Sequence, residues 1–151
     1  MPASIYLSLV FHNHQPVGQF DFVNEHAAQV AYEPFVALME QHPSIKCGIH
    51  FTGSLLDYLL EHQQPLLDRI RALAERGQLE VLAGGYYEPI LITLPDEDKL
   101  GQMRKLVATV EDVFGIRPRG MWLAERVWEP HLVRPIAQAG IEYVIIDDTH
   151  F

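Results

Sequence analysis

Cysteine is nearly absent. The 151-residue chain has one, Cys47, so it closes no internal disulfide, and its place in the apolar run "IKCGIHF" reads as a small buried hydrophobe. Basic residues are also scarce: 11 Lys and Arg stand against 20 Asp and Glu, a formal charge of −9. Nucleic acids and anionic membrane surfaces both require a basic face, so neither is expected as a partner, and a neutral one fits better. No apolar run is long enough to span a bilayer. The N-terminal stretch "MPASIYLSLVFHNH" has no basic leader and its apolar run breaks at His12. No secretory signal is read there, and a cytoplasmic protein is expected. Phosphate-cradling motifs are missing as well. No G-x-G-x-x-G follows a strand-like run, "LAGGYYEP" leads into no helix start, and no G-x-x-x-x-G-K-[ST] occurs. What is present is an ordinary globular balance, 48% hydrophobic and 21% charged, sized for one domain or a piece of one.

Short β-branched runs alternate with helical patterns. Strands are expected at 5–11, 45–51, 79–84, 120–124 and 143–147, each nearly continuously apolar, as in a parallel sheet covered on both faces. Helices are expected over 24–41, restarted at Pro34, over 54–63 with Ser54 as N-cap, and over 65–77. Two more are expected over 96–115, with acids in the first turn and Gly115 at the end, and over 129–140. The order βαβαβαβαβ implies right-handed crossovers, building an open doubly wound sheet or a barrel.

Polar residues collect where the strands end. The first strand runs into "HNHQP" (12–16), the second into His50 and Thr52, and the third into "GGYYEP" (84–89). The fourth runs into Glu125 and Arg126, and the fifth into "DDTH" (147–150). In an α/β barrel all these ends share the rim that carries the active site.

Each candidate has a bland alternative. His12 and His14, two apart on a strand end, face the same way and suit either a metal pair or substrate contacts; with Gln15 and Pro16 following, substrate contact is favoured. His50 reads as a satisfied core-edge histidine, and His26, His42, His62 and His131 as solvated. Glu80, inside "LEVLAG", faces either the barrel or water at the strand start. Tyr86, Tyr87 and Glu88 suit a sugar-binding wall or a rigid loop anchored by Pro89. Glu125 sits between Trp122 and Trp128 beside Arg126, either as a catalytic carboxylate or as half of a structural ion pair, and the indoles favour catalysis. Glu129 suits a helix start. Asp147 and Asp148 suit a metal, hydroxyls or a cap.

Three stretches together carry a resemblance: "HNHQP" (12–16), "GQLEVLAGGYYEPI" (77–90) and "WLAERVWEP" (122–130). They resemble the first three sequence signatures of glycoside hydrolase family 57, and within it the 4-α-glucanotransferase and α-amylase group. The resemblance covers essentially the whole chain. It implies an α/β fold of parallel (β/α)7-barrel type, of which about five strands are expected here, with residues 1–151 as the N-terminal portion of a single catalytic barrel. It implies retaining hydrolysis or transglycosylation of α-1,4-glucans such as starch, glycogen or maltooligosaccharides, without metal or cofactor. It places the nucleophile at Glu125 and an aromatic subsite wall at Trp122. Substrate-contacting positions fall on His14 and Glu80, and His12, Gln15, Tyr86 and Arg126 are taken with them as the binding set.

The family's acid/base aspartate belongs to a fourth signature, downstream of "YVIIDDTHF". A retaining site needs that second carboxylate about 5–5.5 Å from the first. The chain is therefore expected to be a portion of the enzyme, inactive or nearly so alone. Two competing expectations remain: a metal-dependent barrel hydrolase using His12, His14 and Asp147 or Asp148, and a non-catalytic carbohydrate-binding fragment. The sequence sets no oligomeric state.

Overall fold

The computed structural model describes residues 5–150. Five strands, β1 (Val10–Asn13), β2 (Cys47–Phe51), β3 (Leu79–Leu82), β4 (Gly120–Trp122) and β5 (Tyr143–Ile145), run parallel. β1, β2 and β3 pair in that order, β4 pairs with β5, and a parallel bridge between Ala83 and Met121 joins the two groups. The spatial order therefore equals the sequence order. A doubly wound sheet reverses direction at a switch point; a barrel does not, so this is the barrel-type winding, with five of its strands present.

Six α-helices cover the outer face: α1 (Asp21–Ala27), α2 (Glu33–Gln41), α3 (Gly53–His62), α4 (Gln64–Glu75), α5 (Asp96–Phe114) and α6 (Val133–Gln138). Cys47, Ile49, Phe51, Leu79 and Val81 on the strands pack with Leu55, Leu59, Leu66, Leu67, Ile70 and Phe114 from the helices. A second core, around Ala83, Met121, Leu123, Leu132 and Ile136, seats α6 on β4. Burying a side chain of Leu or Ile size is worth roughly 1.5–3 kcal/mol. The covered face therefore holds the sheet in shape. α5 starts with Asp96, Glu97 and Asp98, favourable beside its N-terminal dipole, and stops at Gly115, whose φ of 69° lies in the left-handed region.

Several elements differ from expectation for local reasons. The first strand begins at Val10, because pairing with β2 starts at Val10↔Gly48; Ile5 and Tyr6 before it are 94% and 95% exposed. The strand consequently runs through His12 instead of stopping before it. The single helix expected over 24–41 is continuous helical backbone made of α1, a π-helical turn (Ala28–Tyr32) and α2, with Pro34, which has no N–H to donate, just after the widened turn. The cap of α3 is Thr52, not Ser54, whose hydroxyl instead donates to the Gln15 carbonyl at 2.7 Å. The last expected helix, 129–140, begins as a 3-10 turn (Pro130–Leu132) and becomes α-helical only at Val133.

Candidate active site

Side chains alternate across a strand, so each register pair fixes a face. His12 pairs with His50, and His50 with Leu82, on the face turned away from the helices. Across the sheet, Trp122 lies flat against His12, with ring centroids 4.6 Å apart and planes 9° apart. His12 Nδ1 is 2.9 Å from His50 Nδ1. His14, two residues on, turns to the same side.

The partner that joins the two outer histidines is Glu88. Its carboxylate lies 3.0 Å from His12 Nε2 through Oε1 and 2.6 Å from His14 Nδ1 through Oε2. Glu88 reaches them from the loop after β3 with φ 53°, a left-handed conformation that non-glycine residues seldom hold. From the sequence Glu88 suits a sugar-binding wall or a rigid loop anchored by Pro89, and nothing there marks it as the partner of the two histidines. His50 is buried, and that burial pushes its imidazole pKa down to about 3, with the neighbouring His12 and His14 acting the same way. It is therefore neutral at physiological pH. Gly84 makes room for it, since a Cβ there would come within 2.6 Å of His50 Nε2.

After β4 the backbone turns sharply. Glu125 and Arg126 are consecutive left-handed residues, each with φ 52°. Both side chains are exposed, and Glu125 makes no hydrogen bond or ion pair among the described residues. Arg126 does not pair with Glu125. Its guanidinium lies 5.8 Å over the Trp122 ring, and its Nε is 3.6 Å from Asp147 Oδ2. Backbone and hydroxyl hydrogen bonds from Thr149 hold the Asp147 carboxyl below its ordinary range.

The structure thus brings His12, His14, Trp122, Glu125 and Arg126 to one end of the strands. It sets the other named residues elsewhere. Gln15 is occupied in packing the loop: its amide contacts Tyr32 Oη at 3.4 Å and its carbonyl oxygen accepts from Gln19 at 3.2 Å. Tyr86 is buried among the helices; its hydroxyl donates to Asp57 at 2.5 Å, and Lys105 sits 3.7 Å over its ring. The exposed aromatic of that pair is Tyr87. Glu80 shares the face of His50 but lies two positions earlier, about 6.6 Å towards the strand starts. There it accepts a hydrogen bond from Tyr143 Oη at 2.7 Å. Asp147 and Asp148 do not join the histidines.

No helix among the described residues is long and apolar enough to cross a membrane. The model of the family described as Glycosyl hydrolase family 57 matches residues 8–151. Alpha-amylase 1 of Dictyoglomus thermophilum is 52% identical over 151 residues, all of this chain and 22% of its own length. A 4-alpha-glucanotransferase of Thermococcus kodakarensis is 44% identical over 140 residues, 93% of this chain and 21% of its own. The crystal structure of 4-alpha-glucanotransferase from Thermococcus litoralis superposes with a TM-score of 0.91 at 44% identity, covering 95% of this chain and 23% of that one. The chain spans about a fifth of the length of these relatives. The superposition covers the five parallel strands described above, in agreement with a parallel (β/α) barrel fold. With its family profile and its parallel winding in agreement, this chain belongs to glycosyl hydrolase family 57.

Proposed function

We propose that the chain carries the nucleophile and part of the glucosyl-binding wall of a retaining enzyme acting on α-1,4-glucans, as a portion of one catalytic barrel. The observation that carries this reading is the turn after β4. Two consecutive left-handed residues present the Glu125 carboxylate at the C-terminal rim, free of ion partners among the described residues, three residues beyond the indole that stacks on His12. Strain of this kind costs of order 1–3 kcal/mol per residue and persists where the surrounding structure imposes it, often at functional sites. The names of the relatives, alpha-amylase and 4-alpha-glucanotransferase, support the substrate class.

In this reading a Glu125 oxygen attacks the anomeric carbon as the glycosidic C–O bond breaks, forming a glycosyl ester. A water or a hydroxyl of a second glucan then attacks the same carbon and releases the carboxylate. Trp122 offers the sugar a flat apolar face, and His12 and His14 offer ring nitrogens to its hydroxyls. Arg126, set over the Trp122 ring, adds a positive charge to the same wall. Gln15 and Tyr86 act at one remove, holding the loops after β1 and β3, and Glu80 braces the face below through Tyr143.

Protonating the leaving oxygen requires a second carboxyl group. Glu88 is committed to the two histidines, and Asp147, held ionised by Thr149, faces Arg126. The family resemblance places that role on an aspartate of a fourth signature outside these 151 residues. Asp147 and Asp148 do not join the group formed by His12, His14 and Glu88, so among the described residues neither aspartate completes a metal set with the two histidines.

The test is turnover of maltooligosaccharides by the whole protein that carries this chain. Glu125→Gln is expected to lower kcat by at least about 10³-fold while the variant still binds maltooligosaccharide. Retained turnover would remove Glu125 as nucleophile; binding without turnover in the parent protein would favour a non-catalytic carbohydrate module.

A further inference from the structure

A carboxylate oxygen packed between two imidazoles should accept a ring N–H in line. Glu88 Oε2 does not. It is buried and makes no well-aligned hydrogen bond, although His14 Nδ1 is 2.6 Å away. Buried oxygens without partners are uncommon, and an ion is one standard explanation for them. His12 Nε2, His14 Nδ1 and the Glu88 carboxylate offer three ligand atoms, all within 4.8 Å of one another. Two ligands at ~2.1 Å from one tetrahedral ion lie ~3.4 Å apart, so side-chain shifts of roughly 1–1.5 Å would seat it.

We propose that His12, His14 and Glu88 form a binding site for a divalent transition-metal ion of the Zn2+ type. Two imidazoles and one carboxylate are borderline ligands that suit such ions, unlike Mg2+ or Ca2+, which prefer all-oxygen shells. The second shell fits too. A ligating histidine commonly engages its other ring nitrogen, which fixes the tautomer. Here His12 Nδ1 and His50 Nδ1 share a hydrogen bond at 2.9 Å; with His12 as its donor the Nε2 lone pair faces Glu88, while Trp122 holds the ring plane. The left-handed backbone of Glu88 brings in the third ligand, and the half-exposed His14 leaves one side open to water.

The ion takes the ring nitrogens that the sugar hydroxyls would use, so it acts as an inhibitor that competes with substrate. This consequence rests on the function proposed above; the site itself rests on geometry alone.

Calorimetric titration of the 151-residue chain with Zn2+, and the visible bands of bound Co2+, test the site without any glucan or turnover. One saturable equivalent is expected, weakened at least about 10-fold by Glu88→Gln and by His14→Gln, and unchanged by His131→Ala on a distant exposed turn. If Glu88→Gln does not fold by circular dichroism, His14→Gln decides, because that side chain is the most exposed of the three. Absence of a saturable equivalent, or affinity indifferent to the foldable variants, overturns the proposal and leaves an imidazole–carboxylate ion pair. Failure of Glu125 as nucleophile would leave the metal titration untouched, so the two readings fail separately.

Discussion

His50 is held neutral where an exposed histidine would begin to charge. The unfolded chain takes up a proton near the ordinary histidine value, about 6.5. The folded chain resists until about pH 3, because burial and the facing His12 and His14 oppose the charge. Between those values the unfolded state binds more protons, so the contribution of His50 to stability is complete above pH 6.5 and lost as pH falls towards 3, by up to ~1.4 kcal/mol per pH unit. Melting temperature measured from pH 7.5 to 4 is expected to fall less steeply in His50→Gln than in the parent chain. Equal slopes would show that His50 protonates freely in the folded state. The sequence disclosed a histidine at a core edge and hid its coupling. His12 is 38 residues away, and only the register His12↔His50 puts their rings together. Glu88 was hidden for a related reason: a left-handed φ at a non-glycine position is imposed by tertiary context and leaves no mark in composition.

At the scale of elements, α3 shows how closely the rim loops and the helical layer are fitted. The Gly53 N–H donates to the Tyr86 carbonyl at 2.7 Å, and a Cβ on Gly53 would stand 2.4 Å from the Tyr86 ring. That ring is buried, with its hydroxyl on Asp57 in α3 itself, so it has no free direction in which to retreat. Gly53→Ala is expected to destabilise the chain by ~1–3 kcal/mol in urea unfolding, as overpacking does. Gly101→Ala, with open space around the added methyl on the exposed face of α5, is expected to be neutral or stabilising. Equal effects at the two sites would mean that helix propensity, and not the Tyr86 contact, decides. The periodicity that located α3, α4 and α5 was legible because their apolar stripes face a covered sheet. The start of β1 was not. "IYLSLVF" has strand composition throughout, but a strand needs a partner, and pairing with β2 begins only at Val10. Tyr86 was misleading for a similar reason, since an aromatic beside a glycine pair fits a sugar wall and a helix-covered pocket equally well.

Across the whole molecule, the order of elements and the gathering of polar groups at one end could be read directly, because both follow from strand polarity and right-handed crossovers. Lateral closure could not, since it depends on which edges find partners. Among the described residues β1 pairs only with β2, and β5 only with β4. The segment before β1 adds Ile5, Tyr6 and Leu7, the last 81% exposed. Parallel edges with bare N–H and C=O groups beside exposed apolar side chains are templates for further pairing, and a lysine on such an edge blocks it. The 151-residue chain is therefore expected to self-associate as concentration rises. Sedimentation velocity between about 1 and 100 μM should show the weight-average mass climbing above 17.2 kDa. Leu7→Lys, which touches neither the packed outer face nor the histidine cluster, should shift that rise to higher concentration without changing the melting temperature. A parent chain that stays monomeric throughout, or a Leu7→Lys variant that associates as readily, would show that the β1 edge is protected in solution.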